Sequence, residues 1–234
     1  MLAEDRHENA DGFAYVTAQL FTGVRLNGAT ALEIGSGTGL QAIYMAQQGA
    51  RVVSLEPEGV GSTGGVIAKQ RARCAQLGLD VEVVEADFNT WHANQRFDII
   101  LARNSINHLY ATDQVALGDA RTAEEYRRVL LHVRHLLRPG GVFIATDACR
   151  YALFTMARRV GIRRPWRPEK TGVNWRHHQN PQTWCTLMRR AGFASIAVDY
   201  PVPHRLRHLA PLVNNPAANF FLKGAFILRA RAPA

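Results

Sequence analysis

Residues 31–39 read Ala31-Leu32-Glu33-Ile34-Gly35-Ser36-Gly37-Thr38-Gly39, and this stretch decides the fold. An apolar run followed by glycines at alternate positions predicts a buried strand, a tight turn and the start of a helix. Glycine takes positive φ without penalty and leaves the backbone bare where a ligand lies against it. In a dinucleotide-binding unit the third glycine follows the second by three residues, so that a pyrophosphate rests on the helix N-terminus. Here it follows by two, and Glu33 stands two residues before the first glycine.

On either side of this turn the chain alternates strand-like and helix-like segments from about residue 13 to 147, which predicts βαβ units and a parallel sheet. The pattern gives a helix over Phe13–Val24, a strand over Ala31–Ile34, a helix over Thr38–Gln48 and a strand over Arg51–Leu55. A helix over Val66–Leu77 and strands over Val81–Glu85 and Phe97–Ala102 follow, then a helix over Thr122–Leu137. Arg138-Pro139-Gly140-Gly141 reads as a turn, and Val142–Thr146 as the fifth strand. A helical region to about Ile162 comes next. Asn180-Pro181 supplies a helix start with proline at the first position, and Gly192 the stop. Strands over Ala194–Tyr200 and Phe220–Arg231 end the pattern. No repeat or low-complexity linker interrupts it, so one domain is expected: a helical segment over 1–29, a core over 30–147, an insertion over 148–210 that includes the sixth strand, and a closing strand within 211–234.

The chain has 234 residues and a net charge of +9. From Arg150 to Ala210 there are twelve Arg or Lys against two acids, Glu169 and Asp199, so the charge belongs to this region and the remainder is close to neutral. A basic surface of this kind suits an anionic partner. It also suits a solvated face, since 25 of the 28 basic residues are Arg. No apolar run approaches the roughly 20 residues of a membrane span. The acidic, polar opening Met1–Phe13 is unlike a signal peptide, so a cytoplasmic location is expected. Cys74, Cys149 and Cys185 lie far apart with no C-x-x-C pair, which suggests neither a disulfide framework nor a metal site.

The sequence Glu33-x-Gly35-x-Gly37-x-Gly39 resembles motif I of the class I S-adenosylmethionine (SAM) methyltransferases. Leu137-Arg138-Pro139-Gly140-Gly141 before the fifth strand is a second match, to their small-molecule members. The resemblance implies a Rossmann-like, doubly wound α/β fold with a seven-stranded, mostly parallel sheet whose last strand is antiparallel. It implies SAM as cofactor, S-adenosylhomocysteine as its product, and no metal. Gly35, Ser36, Gly37 and Gly39 would then lie against the methionyl part and ribose, with Glu33 beneath the turn. Glu56, at the end of the second strand, would accept from the ribose diol. Asp87 and Phe88 match the adenine-binding stretch, although Asp87 also suits a turn cap. Arg103 and Asn104 reach the methionine end by position.

For the transferred methyl, His108 is the first candidate base because it follows the fourth strand; a loop-stabilising or substrate-orienting role is the other reading. Asp147, after the fifth strand, and the pair His177-His178 are further candidates. Arg163, Trp166, Arg167, Trp175 and His178 fall in the insertion, where the family places substrate recognition, and its tryptophans read equally as a small core. The segment Tyr151–Arg164 can also lie on an anionic membrane surface. The stretch after the fourth strand, Ala102-Arg103-Asn104-Ser105-Ile106-Asn107-His108-Leu109-Tyr110, lacks the signature of the amino-methyltransferases. A small-molecule acceptor methylated on oxygen is therefore expected, with a nucleic-acid (RNA) methyltransferase and a SAM-binding protein without transferase activity as the alternatives. The acceptor and the oligomeric state are not specified by the sequence.

Overall fold

The computed structural model describes residues 10–57, 64–110, 117–153, 156–157 and 178–234. Its strands are β1 (Thr30–Ile34), β2 (Arg51–Leu55), β3 (Val81–Val84), β4 (Phe97–Arg103), β5 (Leu137–Ala148), β6 (Ser195–Asp199) and β7 (Ala225–Arg231). They form one seven-stranded sheet in the order β3-β2-β1-β4-β5-β7-β6. The first five run parallel, and β7 lies antiparallel between β5 and β6. This is the expected architecture. The order reverses between β1 and β4, and in an open sheet of this kind ligands collect at that point, outside the carboxyl ends of the strands.

Every residue of β1 is buried, as parallel strands covered on both faces require. Successive side chains take opposite faces. Leu32 and Ile34 of β1, Ile100 of β4, and Phe143 and Ala145 of β5 face a core closed by α4 (Ala120–Leu136) through Tyr126, Leu130 and Val133. The helix α5 (Pro181–Arg190) completes it with Trp184, Leu187 and Met188. Ala31, Ile99, Leu101, Val142 and Ile144 face the opposite layer, where α2 (Leu40–Gln47) contributes Ala42 and Met45, and Leu20 of α1 (Ala10–Leu20) joins them. Between β2 and β3 lies α3 (Val66–Gln76).

Several boundaries differ from those read in the sequence. The first helix covers Ala10–Leu20 of the described residues and ends short of the expected Val24. Arg138–Gly141 do not separate helix from strand but lie inside β5, where the register jumps from Phe97↔Leu137 to Ile99↔Val142. The turn chemistry is spent on a bulge. Phe220–Leu222 do not open the last strand; they end α7 (Pro216–Leu222). Asn215 caps that helix by accepting from Ala218 N at 2.9 Å, with Pro216 in its first turn. Asn180-Pro181 likewise puts a proline in the first turn of α5, there without a side-chain capping bond from the asparagine. Before α7 lie η2 (His204–Leu209), a 3-10 helix, and the short α6 (Ala210–Val213). All three cysteines are buried and free. Among the described residues no helix is long and apolar enough to cross a membrane.

Candidate active site at the carboxyl edge of the sheet

The turn after β1 is held from three sides. Gly35, Gly37 and Gly39 have φ of +70°, +53° and +75°. Gly35 N and Ser36 N both donate to Leu55 O at the end of β2, at 2.9 and 3.1 Å. A Cβ at Gly39 would stand 2.3 Å from the Gln70 side chain, and one at Gly35 would stand 2.9 Å from Ser105 Cβ. At Gly37 it would meet nothing among the described residues within 4 Å. The first and third glycines thus make room for protein, and the second leaves a bare backbone facing open space.

Beneath the turn, Ser36 Oγ donates to Gln70 Oε1 at 3.1 Å and Gln70 Nε2 donates to Ser54 Oγ at 2.7 Å. Gln70 is fully buried on α3 and was not singled out in the sequence. Its signal is there: a glutamine sharing a helical stripe with Val66, Ile67 and Cys74, all buried. Such a residue is kept in a core only when its amide finds partners.

Glu56, 4% exposed, follows β2 and turns back over the glycines, its Oε2 accepting from Gly37 N at 2.6 Å. The carboxylate and the bare backbone of Gly37 therefore share one place. Glu33 is 1% exposed and lies on the face that packs on α2. Burial pushes its carboxyl up to about 8, against the opposing pull of Arg103 and of an Ala42 N–H. Its Oε2 has no hydrogen-bond partner among the described residues. Asp87 Oδ1 accepts from Asn89 N at 2.8 Å, so its carboxylate caps its own turn. Phe88 is 4% exposed in the core, its ring 5.2 Å from that of His132.

The chain leaving β4 ties the glycine turn to the end of β5. Ser105 Oγ donates to Ile34 O at 2.7 Å, and Asn104 N donates to Thr146 O at 2.9 Å. Asn104 has φ of +55°, the sole non-glycine residue in the left-handed region among those described. Asparagine tolerates that region better than most side chains, and strained backbone of this kind gathers at functional sites. The 3-10 turn η1 (Ile106–His108) follows, fixed to α4 by Tyr126 OH donating to Asn107 O at 2.5 Å. Tyr126 is a second residue the sequence reading missed. His108 is exposed on this turn, its N–H donating to Ser105 O.

Asp147 sits one residue beyond Thr146 on β5 and is 2% exposed. Its Oδ1 accepts from Ala148 N at 2.7 Å and lies 3.0 Å from His178 Nδ1, while Oδ2 is buried without a partner among the described residues. Burying a polar atom that way costs about 1–3 kcal/mol. The structure thus joins Asp147 to His178, both offered by the sequence as candidate bases and His178 also as a substrate contact. Trp184 of the insertion is core: fully buried, its ring edge-on to Tyr126 at 5.3 Å. Arg163, Trp166, Arg167 and Trp175 lie outside the described residues.

A bare glycine backbone and a buried carboxylate hydrogen-bonded to it lie beside the point where the strand order reverses, with a second, histidine-paired carboxylate at the end of β5. A family model described as a methyltransferase domain matches residues 3–198. The chain belongs to that methyltransferase family. Among similar proteins, the cypemycin N-terminal methyltransferase of a Streptomyces species is 32% identical over 117 residues, covering 50% of this chain and 40% of that protein. A tRNA1(Val) (adenine(37)-N6)-methyltransferase of Bacteroides fragilis is 32% identical over 126 residues, 49% of this chain and 50% of its own. The ubiquinone biosynthesis O-methyltransferase of Paramagnetospirillum magneticum is 23% identical over 194 residues, 82% of this chain and 66% of its own. The methyltransferase domain therefore aligns with half or less of the first two proteins. Its fold is that of a SAM-dependent methyltransferase from Aquifex aeolicus, with a TM-score of 0.61, 12% identity, and 97% and 95% of the two chains covered. The class I SAM-methyltransferase architecture read from motif I is thereby shown.

The residues present fit SAM. Gly37 offers backbone with nothing among the described residues in front of it, and Glu56 offers a buried acceptor beside it. SAM supplies an electrophilic methyl carried on a sulfonium. The protein has to hold that methyl in line with an acceptor lone pair, and such positioning accounts for much of the rate.

Proposed function

We propose that this chain transfers the methyl group of SAM to an oxygen of a small or medium-sized metabolite. The observation that carries the reading is the Glu56–Gly37 pair at the point where the strand order reverses. An ionised carboxylate has acceptor sites on both oxygens, so Glu56 can hold the turn and receive a ribose hydroxyl together. In this reading Gly35, Ser36, Gly37 and Gly39 line the cofactor, Asp87 takes the adenine amino group, Arg103 and Asn104 hold the methionine end, and Glu33 lies beneath. The acceptor enters beside β4 and β5, near His108 and Asp147.

Oxygen is favoured because Ala102–Tyr110 lacks the amino-methyltransferase signature, and because the ubiquinone-pathway O-methyltransferase is similar over most of this chain. The concentration of Arg between Arg150 and Ala210 suits an acidic or sugar-containing acceptor, or one presented at an anionic surface. Arg163, Arg167, Trp166 and Trp175 are the side chains we assign to it, and the reaction is placed in the cytoplasm. Incubation with methyl-tritiated SAM and a panel of phenols, hydroxy acids and glycosides tests the reading. Base-stable label in a small-molecule fraction is expected; label in none of them, with S-adenosylhomocysteine bound normally, overturns it.

The similarity to tRNA methyltransferases and the net charge of +9 favour one other reading, methylation of RNA. Filter binding with tRNA from low to physiological salt separates the two. A phosphate-driven complex weakens steeply with salt but still labels tRNA, whereas the metabolite enzyme labels none.

A further inference from the structure

We infer that the surface formed by η2, α6 and α7 docks the protein on an anionic lipid bilayer. The inference goes beyond the O-methyltransferase reading and does not rest on it. The helix α7 is turned outside in. Its buried residue is polar: Asn219 Nδ2 donates to Cys149 Sγ at 3.6 Å, and its Oδ1 accepts from Ala225 N at 3.2 Å. Two residues further on, about 200° around the helix, Phe221 points away from the core and is 67% exposed, with Leu222 exposed beside it. Leu212 of α6 is 73% exposed, and Leu209, at the end of η2, is exposed as well. A helix that spends its inward position on asparagine and leaves phenylalanine and leucine outside is oriented for a partner on its outer face.

The charge around these side chains selects the partner. Arg205, Arg207 and His208 are exposed on η2, Lys223 follows α7, and from Tyr200 to Ala234 the chain has no Asp or Glu. Asp199, the last acid of the chain, is tied to Arg229 and Asn214. Two copies meeting through this surface would set like charges against each other, and the phosphates of RNA would give Leu209 and Leu212 nothing to pack on. A bilayer with anionic headgroups answers both parts, since the headgroups neutralise the cations and the acyl boundary takes the apolar side chains. The surface also adjoins the acceptor side. Cys149, which Asn219 contacts, lies two residues beyond Asp147, and its N–H donates to Gly224 O at 2.7 Å. Seated this way, the protein holds the end of β5 near the headgroups.

The test uses the full chain and sedimentation with vesicles of phosphatidylcholine alone or of equimolar phosphatidylcholine and phosphatidylglycerol. Binding is expected to the second kind and should weaken as salt is added. The double variant Leu212→Asp, Phe221→Asp should lower the partition coefficient by roughly tenfold or more, with the affinity for S-adenosylhomocysteine unchanged. Arg205→Gln with Arg207→Gln should lower it at low salt and flatten its salt dependence. In a second readout, a nitrobenzoxadiazole dye on Leu212→Cys should brighten and shift to the blue on the anionic vesicles, the three native thiols being buried. Absence of binding to the anionic vesicles overturns the inference, as does a dye that stays dim on bound protein. Wild-type partition of the double variant also overturns it and leaves lipid binding to the Arg-rich stretch outside the described residues. A lipid-free dimer lost in that variant would give the face to a second copy, and tRNA binding lost in it would give the face to nucleic acid; either result overturns the bilayer assignment. None of these outcomes depends on which acceptor is methylated.

Discussion

Glu56 reaches back across the mouth of the first βα turn and accepts from the backbone N–H of Gly37 at 2.6 Å, although nineteen residues separate the two. The same carboxylate therefore shapes the turn and presents the acceptor proposed for the ribose. Glu56→Ala removes both effects. Loss of charge-assisted hydrogen bonds costs about 1.5–3 kcal/mol, so the affinity for S-adenosylhomocysteine should fall roughly 10- to 150-fold by calorimetry. Unchanged affinity in a folded variant would remove Glu56 from the cofactor site.

Gly37 and Gly39 should respond differently to the same methyl group. Both have positive φ, which costs a non-glycine residue roughly 1–2 kcal/mol. Only Gly39→Ala also drives a Cβ into the buried Gln70 amide. We expect Gly39→Ala to lower Tm by several degrees more than Gly37→Ala. Gly37→Ala should instead weaken S-adenosylhomocysteine binding out of proportion to its modest loss of stability. Equal melting temperatures would contradict the role given to Gln70.

Glu33 makes stability depend on pH. Its carboxyl is pushed up to about 8 by burial, from 4.5 in an exposed chain. Between those values the unfolded chain releases a proton that the folded protein retains, so stability falls as pH rises from about 4.5 to about 8, and below 4.5 the group has no effect. Glu33→Gln abolishes the titration. Relative to wild type it should raise Tm by at least several degrees at pH 8 and change it little at pH 5. A gain equal at both pH values would show that Glu33 is not buried as described.

The three thiols should be silent while the protein is folded. Each is 5% exposed. Burial raises all of them, Cys149 to about 11, and the thiolate is the reactive form. Ellman's reagent at pH 8 should therefore find fewer than one thiol in the native protein within minutes and three in guanidinium. Rapid reaction of a native thiol would identify a segment that opens.

The cofactor half of the fold could be read from the chain because its signals are local. The run before Gly35 is apolar over a few residues, and the expected span of Arg51–Leu55 is the observed one. The errors came where local chemistry suits two outcomes. Phe220-Phe221-Leu222 have the aromatic, apolar character of a strand, yet the Asn215-Pro216 cap ahead of them commits the segment to a helix. Pro139-Gly140 marks a reversal, and β5 uses it as a bulge. Within the site, the residues named by spacing from a strand end, Glu56 and Asp147, lie at the carboxyl edge. The pairs between them did not follow from spacing. Asp147 and His178 are thirty-one residues apart, and their meeting follows from tertiary packing that no local pattern encodes. Ser36, Gln70 and Ser54 join three separate elements, and no local pattern encodes which amide fills a given hole.

The antiparallel seat of β7 between β5 and β6 bears on the order in which the molecule is assembled. On the cofactor side β1 pairs with β2 and β2 with β3, strands that follow one another in the chain, so those pairings close short loops and can form early in synthesis. The partner of β5 is instead emitted nearly eighty residues later, as Asp147 pairs with Phe226. Until Ala225–Arg231 leaves the ribosome, β5 and β6 have no strand to join them, and two apolar edges stand open. Nascent chains stalled just short of Ala225 should therefore hold a structured glycine turn beside an unfinished acceptor side, the form in which a chaperone would meet this protein.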